Sequence, residues 1–334
     1  MPEGGTGGIL PLALFEPEIS PSGRGDRLHG GILLSVLGLS LCVATALCWA
    51  LSPLFLKYGL READTREANA LRSFSFLALA AGLAVLLSPA DLRWHWGAAT
   101  AFFLLANTLL GNVVGDVLYF VSLRDLGAGK AVAVSCAYPL FVAGISHLWF
   151  GEVLTTAILA GTGAIVTGLV LLRPRDEGEG TSPHRVRGFL FALLAALCWG
   201  MGIPITKWLV TRGGMTPLGS VYWRSLLLLL FVWAIWAWAA RRERGFGPAL
   251  SRLRRLSRRT WLSLLGAGAT GLALGGFFFA LALRYAPASL VTPITASSPL
   301  LTALFAHFRL KERTRPLQWV GIALIVIGSV AVGA

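Results

Sequence analysis

The sequence predicts an all-α polytopic membrane protein in which ten transmembrane helices form two inverted five-helix repeats. Three observations carry that prediction. Hydrophobic residues make up 55% of the 334-residue chain and charged residues 13%, with a mean hydropathy of +0.70, too apolar for an ordinary soluble domain. The apolar runs continue for about 20 residues, enough to cross a bilayer as helix, without the alternation of barrel strands. The chain also repeats itself: Gly111, Gly115, Arg124, Pro139, His147, Glu152, Gly161 and Gly168 recur as Gly271, Gly275, Arg284, Pro299, His307, Glu312, Gly321 and Gly328, always 160 residues later.

Upstream the repeat offset is shorter. Ala46-Leu47-Cys48-Trp49 returns as Ala196-Leu197-Cys198-Trp199 and Lys57 as Lys207, at offset 150, while Arg72-Ser73 returns as Arg224-Ser225 at offset 152. The second copy therefore carries extra residues between its second and third spans, where the linker Arg241–Arg259 holds eight arginines. The spans are expected at 33–56, 68–88, 97–122, 130–150, 156–172, 188–210, 218–240, 261–283, 288–308 and 317–334. Five spans per half is an odd number, so the second half enters the membrane the opposite way round. Such repeats are related by a pseudo-two-fold axis in the membrane plane, and solute sites lie where they meet.

Outside the spans, residues 1–30 are rich in Gly, Pro and acidic side chains and are expected to be a disordered tail. The first repeat then covers 31–173, a linker 174–187, and the second repeat 188–334. The four cysteines lie inside apolar runs without C-x-x-C spacing and are read as small buried hydrophobes. The net charge of +13 does not indicate nucleic-acid binding, because the basic residues fall mostly between spans. There they set topology or meet anionic lipid.

Asp116 is the one acidic residue placed deep within a span. Thr108, Asn112 and Asp116 follow at four-residue steps and Tyr119 at three, so the four share one face of a regular helix. Their repeat counterparts include Leu272, Gly276 and Phe279, so the polar stripe is an asymmetric addition to a symmetric frame. A deep carboxylate is costly unless paired or hydrated. It is read as a solute or proton site, as the partner of Arg72 or Arg224, or as both. For the two arginines, snorkelling to headgroups and anion binding stay open. Trp49 and Trp199 lie too deep for interfacial anchoring and either line a cavity or pack. Lys57 and Lys207, near span ends, are expected to snorkel.

Pro139 and Pro299 fall mid-span and each removes a backbone donor. Such breaks survive in lipid where protein or a wet cavity satisfies the freed groups. Tyr138 and Ser298 stand beside them. Gly161, Gly163 and Gly168, with Gly321 and Gly328, are small-residue seams through which the fifth and tenth spans would pack. There is no phosphate-binding loop, nucleophile elbow or metal-ligand spacing, so no enzyme activity, cofactor or metal is expected.

These residues together suggest a family. Two five-helix units, each with Ala-Leu-Cys-Trp then Lys in the first helix, Arg in the second and Pro…Glu in the fourth, resemble the EamA-type repeat of the drug/metabolite transporter superfamily. The resemblance covers about 35–334. It implies a central cavity and export or exchange of small metabolites such as amino acids, often driven by an ion gradient. It would place Trp49, Arg72, Pro139, Trp199, Arg224 and Pro299 at characteristic positions and match Glu152 and Glu312 to the acid after the fourth helix. Asp116 is outside that pattern. The expected protein is a secondary active transporter in a prokaryotic inner membrane, monomeric or weakly dimeric. Its expected partners are a small-molecule substrate, membrane lipids and a coupling proton or ion. Multidrug or organic-cation efflux is the alternative, and a membrane scaffold or lipid-binding protein a more distant one.

The charge distribution yields a prediction of its own. Of the 29 basic residues, six fall on the side of the N-terminus and twenty-one opposite, with Arg72 and Arg224 left within spans. The positive-inside rule then puts the arginine-rich linker in the cytoplasm and both termini outside, the reverse of the usual arrangement in the resembled family. In a cysteine-free background, Ser251→Cys is expected to resist an impermeant maleimide in intact cells and to react after permeabilisation. Labelling of intact cells would reverse the assignment.

Overall fold

The computed structural model describes residues 24–126, 134–135, 137–172, 184–243, 245–298, 300–301, 305 and 316–333. Every regular element among them is helical. In chain order these are α1 (Arg24–Gly59), α2 (Thr65–Leu87), a 3₁₀ turn (Pro89–Leu92), α3 (Ala98–Asn107), a π-helical segment π1 (Thr108–Val114) and α4 (Gly115–Leu126). They continue with α5 (Tyr138–Phe150), α6 (Thr156–Leu172), α7 (Arg185–Thr211), α8 (Pro217–Glu243) and α9 (Phe246–Arg255). The last are α10 (Arg258–Ala267), a second π segment π2 (Gly268–Leu274), α11 (Gly275–Tyr285), α12 (Ala288–Ala296) and α13 (Pro316–Gly333). Among the described residues, six helical stretches of 21 to 28 residues are long and apolar enough to cross a membrane, and two shorter apolar helices accompany them.

Large apolar side chains cover the outside. Leu86 is 70% exposed, Phe102 66% and Val330 67%. In water such a surface would drive aggregation; against lipid tails it is the expected solvent contact. The interior is built mainly from small residues, with Ala70, Ala80, Ala195, Ala196 and Ala282 fully buried. They let backbones approach where hydrophobic burial no longer drives association.

The halves interlock rather than stand side by side. α4 packs on α7 and α11 packs on α1, so each half lays its third span against the first span of the other. α2 meets α8, and α6 meets α13. In the α6–α13 seam a Cβ added at Gly161 would fall 2.6 Å from the Gly328 carbonyl oxygen, and one at Gly168 2.5 Å from that of Gly321. The reverse contacts run from Gly328 to the Gly161 oxygen. Residue 161 meeting 328 while 168 meets 321 makes the two helices antiparallel, with the contacts exchanged by a two-fold operation.

Several expectations need correction. The expected tail of residues 1–30 is too long, because α1 starts at Arg24; a helix nucleated in the following span propagates back through residues without proline. The rest of that tail lies outside the described residues. The arginine-rich linker is not a plain connection: most of it is helix α9, whose Ala249 and Leu253 are buried against Trp236 and Ala240. Arg252 holds it down by pairing with the buried Glu67 at 3.0 Å, and Glu67 also closes the capping box on Asp64 at the start of α2. At the other end of the expected span-to-span linker, α7 starts at Arg185, so Arg187 is helical and pairs with Asp125.

The glycine seam makes a direct prediction. Gly168→Ala must push against backbone, not a flexible side chain, and is expected to lower stability by about 1–3 kcal/mol. Gly163→Ala, with nothing within 4 Å of the new carbon, is expected to be neutral. Thermal unfolding in micelles compares the two, and equal melting temperatures would dissolve the seam argument.

Candidate functional site

A cavity of about 490 Å³ lies between the halves, within the range of small-molecule sites. Its walls come from both repeats in equivalent places: Trp49 and Trp199, Gly111 and Gly271, Arg72 and Arg224, Asp116 and Gly276. Asn107, Asn112, Ser52 and Thr206 add polar edges, and Phe76, Tyr138 and Phe279 add aromatic surface.

The π segments explain how the wall is built. In π1 the Gly115 amide donates to the Leu110 carbonyl, five residues back, and in π2 the Gly275 amide donates to that of Thr270. An α-helix would have sent those amides to Gly111 and Gly271. The two released carbonyls are capped from the opposite half: Trp199 Nε1 donates to the Gly111 oxygen at 3.0 Å and Trp49 Nε1 to the Gly271 oxygen at 3.1 Å. Glycine is required beside each indole, because a Cβ at Gly115 would lie 2.8 Å from Trp199 Nε1 and one at Gly275 2.7 Å from Trp49 Nε1. Trp49 and Trp199 are thus both cavity lining and hydrogen-bonded seam.

The wide turn also shifts the register of the predicted polar stripe. Thr108 is fully buried, donates to the Leu104 carbonyl at 2.9 Å and is absent from the cavity wall. Asn107 takes its place: a step of five residues through the π turn aligns it with Asn112, and four more reach Asp116. Its side-chain amide donates to the Gly202 carbonyl and to Thr206 Oγ1 at 2.9 Å. The sequence signal for Asn107 was a polar residue one position before the regular stripe, in a helix interrupted by Gly111 and Gly115. Tyr119 is likewise not on the wall but stands behind it, its ring 5.2 Å from that of Trp199. Its counterpart Phe279 touches Trp49 at 5.1 Å.

Asp116 pairs with Arg72 through one contact, Nη2 to Oδ2 at 3.3 Å, with the side chains 16% (Arg72) and 21% (Asp116) exposed. Both therefore face the cavity. Arg224 also faces it, its guanidinium carbon 5.9 Å from the ring centre of Phe76. Snorkelling of these arginines to headgroups does not occur.

The proline positions divide. Pro139 is not a kink inside a helix but sits in the first turn of α5, after a break at Ala137, where a missing amide costs nothing. Tyr138 beside it lines the cavity. Pro299 lies outside the described residues. Ser298 follows the equivalent break, at Ser297 after α12, and is not on the cavity wall. The proline inside α12 is Pro293.

Lys207 does not snorkel either. It pairs with Glu152, whose carboxylate also accepts from the Ala288 and Ser289 amides at 2.9 Å. Glu152 thereby caps the start of α12, where the helix dipole favours an anion, and ties the first half to the second. Glu312 and His307 lie outside the described residues, as does the side chain of Lys57. No group of acidic, histidine or cysteine side chains among the described residues could hold a metal ion.

Fold and cavity define a class: a multi-pass helical membrane protein whose repeated halves enclose a cavity of small-molecule size. The sequence matches the EamA-like transporter family over residues 36–173 and 186–334, and the chain belongs to that family. It is 25% identical over 297 residues to an uncharacterized transporter of Archaeoglobus fulgidus, covering 87% of this chain and 96% of that one. It is 32% identical over 143 residues to the uncharacterized inner membrane transporter YhbE of Escherichia coli, covering 43% and 41%. A crystal structure superimposes with a TM-score of 0.72 at 19% identity, over 88% of this chain and 95% of the other; that likeness concerns fold alone. The protein is a multi-pass membrane transporter.

The Glu152 cluster predicts a pH dependence. Burial opposes ionisation of Glu152, but the Lys207 and Ser289 hydrogen bonds outweigh it and hold the carboxyl below the usual glutamate range. With the folded value below the unfolded one, about 4.3, the cluster stabilises fully above that pH and is lost as pH falls through the folded pKa. Glu152→Gln is expected to lower the melting temperature at neutral pH, with the gap to the native protein closing on acidification. A gap that stays constant with pH would mean that ionisation of Glu152 contributes nothing.

Proposed function

We propose that this transporter is a secondary active exporter or exchanger of a small metabolite such as an amino acid. It would work by alternating access of two inverted five-helix repeats, ten spans in all, in a prokaryotic inner membrane. The observation that carries the reading is the cavity shared equally by both halves, with an ion pair of one half inside it. Rocking of interlocked halves about a site at their junction exposes that site to each side in turn. The reciprocal tryptophan bonds and the antiparallel α6–α13 seam supply a hinge that both states can keep. Without a nucleotide-binding motif in the sequence, the driving force is an ion or solute gradient.

Asp116 is the coupling residue in this reading. Protonation would discharge its pair with Arg72 and change the charge presented to a solute. Organic-cation efflux is disfavoured by the same geometry, since the one carboxylate that the described residues place on the cavity wall is already engaged by an arginine.

In liposomes, the purified protein is expected to accumulate a labelled amino acid in counterflow and to respond to an imposed pH gradient. Asp116→Asn is expected to fold, because cavity water reaches the released Arg72, and to lose the pH response. Native pH dependence in this variant would remove Asp116 from the mechanism. Loss of folding would reduce the pair to a structural one.

A further inference from the structure

The two halves treat the same arginine differently. Arg72 and Arg224 occupy equivalent positions, each followed by serine. Arg72 faces Asp116 at 3.3 Å. The residue equivalent to Asp116 is Gly276, and Arg224 lies directly against it: a Cβ added to Gly276 would stand 2.8 Å from Nη2 of Arg224. The guanidinium is therefore aimed at the place where the first half keeps its acid, and the acid is missing.

Nothing among the described residues replaces it. No carboxylate there lies within ion-pair distance of Arg224 and no side chain or carbonyl accepts a hydrogen bond from it; its close neighbour is the face of Phe76. Among the described residues the charged side chains on the cavity wall are Arg72, Asp116 and Arg224, one positive charge in excess. A charge at this depth requires a partner or water. A guanidinium offers a planar fork of donors that matches a carboxylate oxygen pair.

We infer that Arg224 is the anion-receiving group of the transport site, and that the solute brings the carboxylate which Gly276 omits. This rests on the transporter reading above and narrows its substrate to carboxylates with net negative or zwitterionic charge. The aromatic faces of Trp49, Trp199 and Phe279 suit a flat apolar body. A single halide would leave most of a 490 Å³ cavity unfilled. The absence of a side chain at Gly276 has a function in this view: a Cβ there would crowd the Arg224 guanidinium and the carboxylate it receives.

The test uses the full chain in micelles, with tryptophan fluorescence titrated by four probes: phenylacetate, its uncharged amide phenylacetamide, cationic 2-phenylethylamine, and chloride. Phenylacetate is expected to bind about tenfold or more tighter than the amide, the scale of a charge-assisted hydrogen bond, and chloride not to compete. Arg224→Gln should erase the preference, bringing phenylacetate affinity down to that of the amide or below. Gly276→Asp should do the same with Arg224 intact, by restoring the pair found in the first half, and it carries the test should Arg224→Gln fail to fold. A preference for the amine overturns the assignment, as does a folded Arg224→Gln that still prefers phenylacetate or displacement of phenylacetate by chloride. Transport of amino acids by a protein without anion preference would sink this assignment alone. Absence of both binding and transport would sink the transporter mechanism with it.

Discussion

The structure depends on one exchange of hydrogen bonds. Each third span contains a π turn that releases a backbone carbonyl, and the indole of the opposite half takes it up. A carbonyl left open in hydrocarbon costs several kcal/mol, so the π turn is tenable only while the halves are joined. The indole likewise keeps its N–H satisfied only there. Glycines beside each ring make the approach short enough. Fold, interface and cavity wall are thus the same set of contacts.

From that constraint the shape of the site follows. The wide turn rotates the helix below it, which moves Asn107 onto the wall and Thr108 off it. The same geometry repeated in the second half produces Trp49 over Gly271. Against this matched background the mismatches stand out: Asp116 opposite Gly276, and Asn107 bonded to Gly202 where the other half has Ser52 bonded to the Ala267 carbonyl. Two-fold duplication supplies a frame. Departures from it supply a charge pattern that a symmetric cavity could not have.

At one end of the molecule the Glu152 cluster joins the halves by a different kind of contact. A carboxylate that accepts from Lys207 and from two helix-start amides is satisfied on all sides, so it is strong in a closed arrangement and expensive to open partway. It lies far along the chain from the tryptophan seam yet links the same two halves. In the proposed alternating-access cycle, movement of one half against the other would preserve the apolar and indole contacts while making and breaking polar ones such as the Glu152 cluster.

Much was legible in the sequence, and for a physical reason. Lipid forces backbone hydrogen bonds inside each span, so apolar length determined where the long apolar helices occur. Duplication wrote the repeat relation directly into residue spacing, which is why Trp49, Trp199, Arg72, Arg224 and the Gly161, Gly168, Gly321 and Gly328 seam could be paired beforehand. What spacing could not carry was register through a π turn: a stripe drawn at four-residue steps selected Thr108 and Tyr119 and passed over Asn107. Nor could it say which of two arginines meets Asp116, that Lys207 turns inward to Glu152, or that the arginine-rich linker folds as an amphipathic helix on Trp236. Those outcomes depend on which side chains from the distant half arrive alongside, and only the tertiary structure brings them within hydrogen-bonding distance.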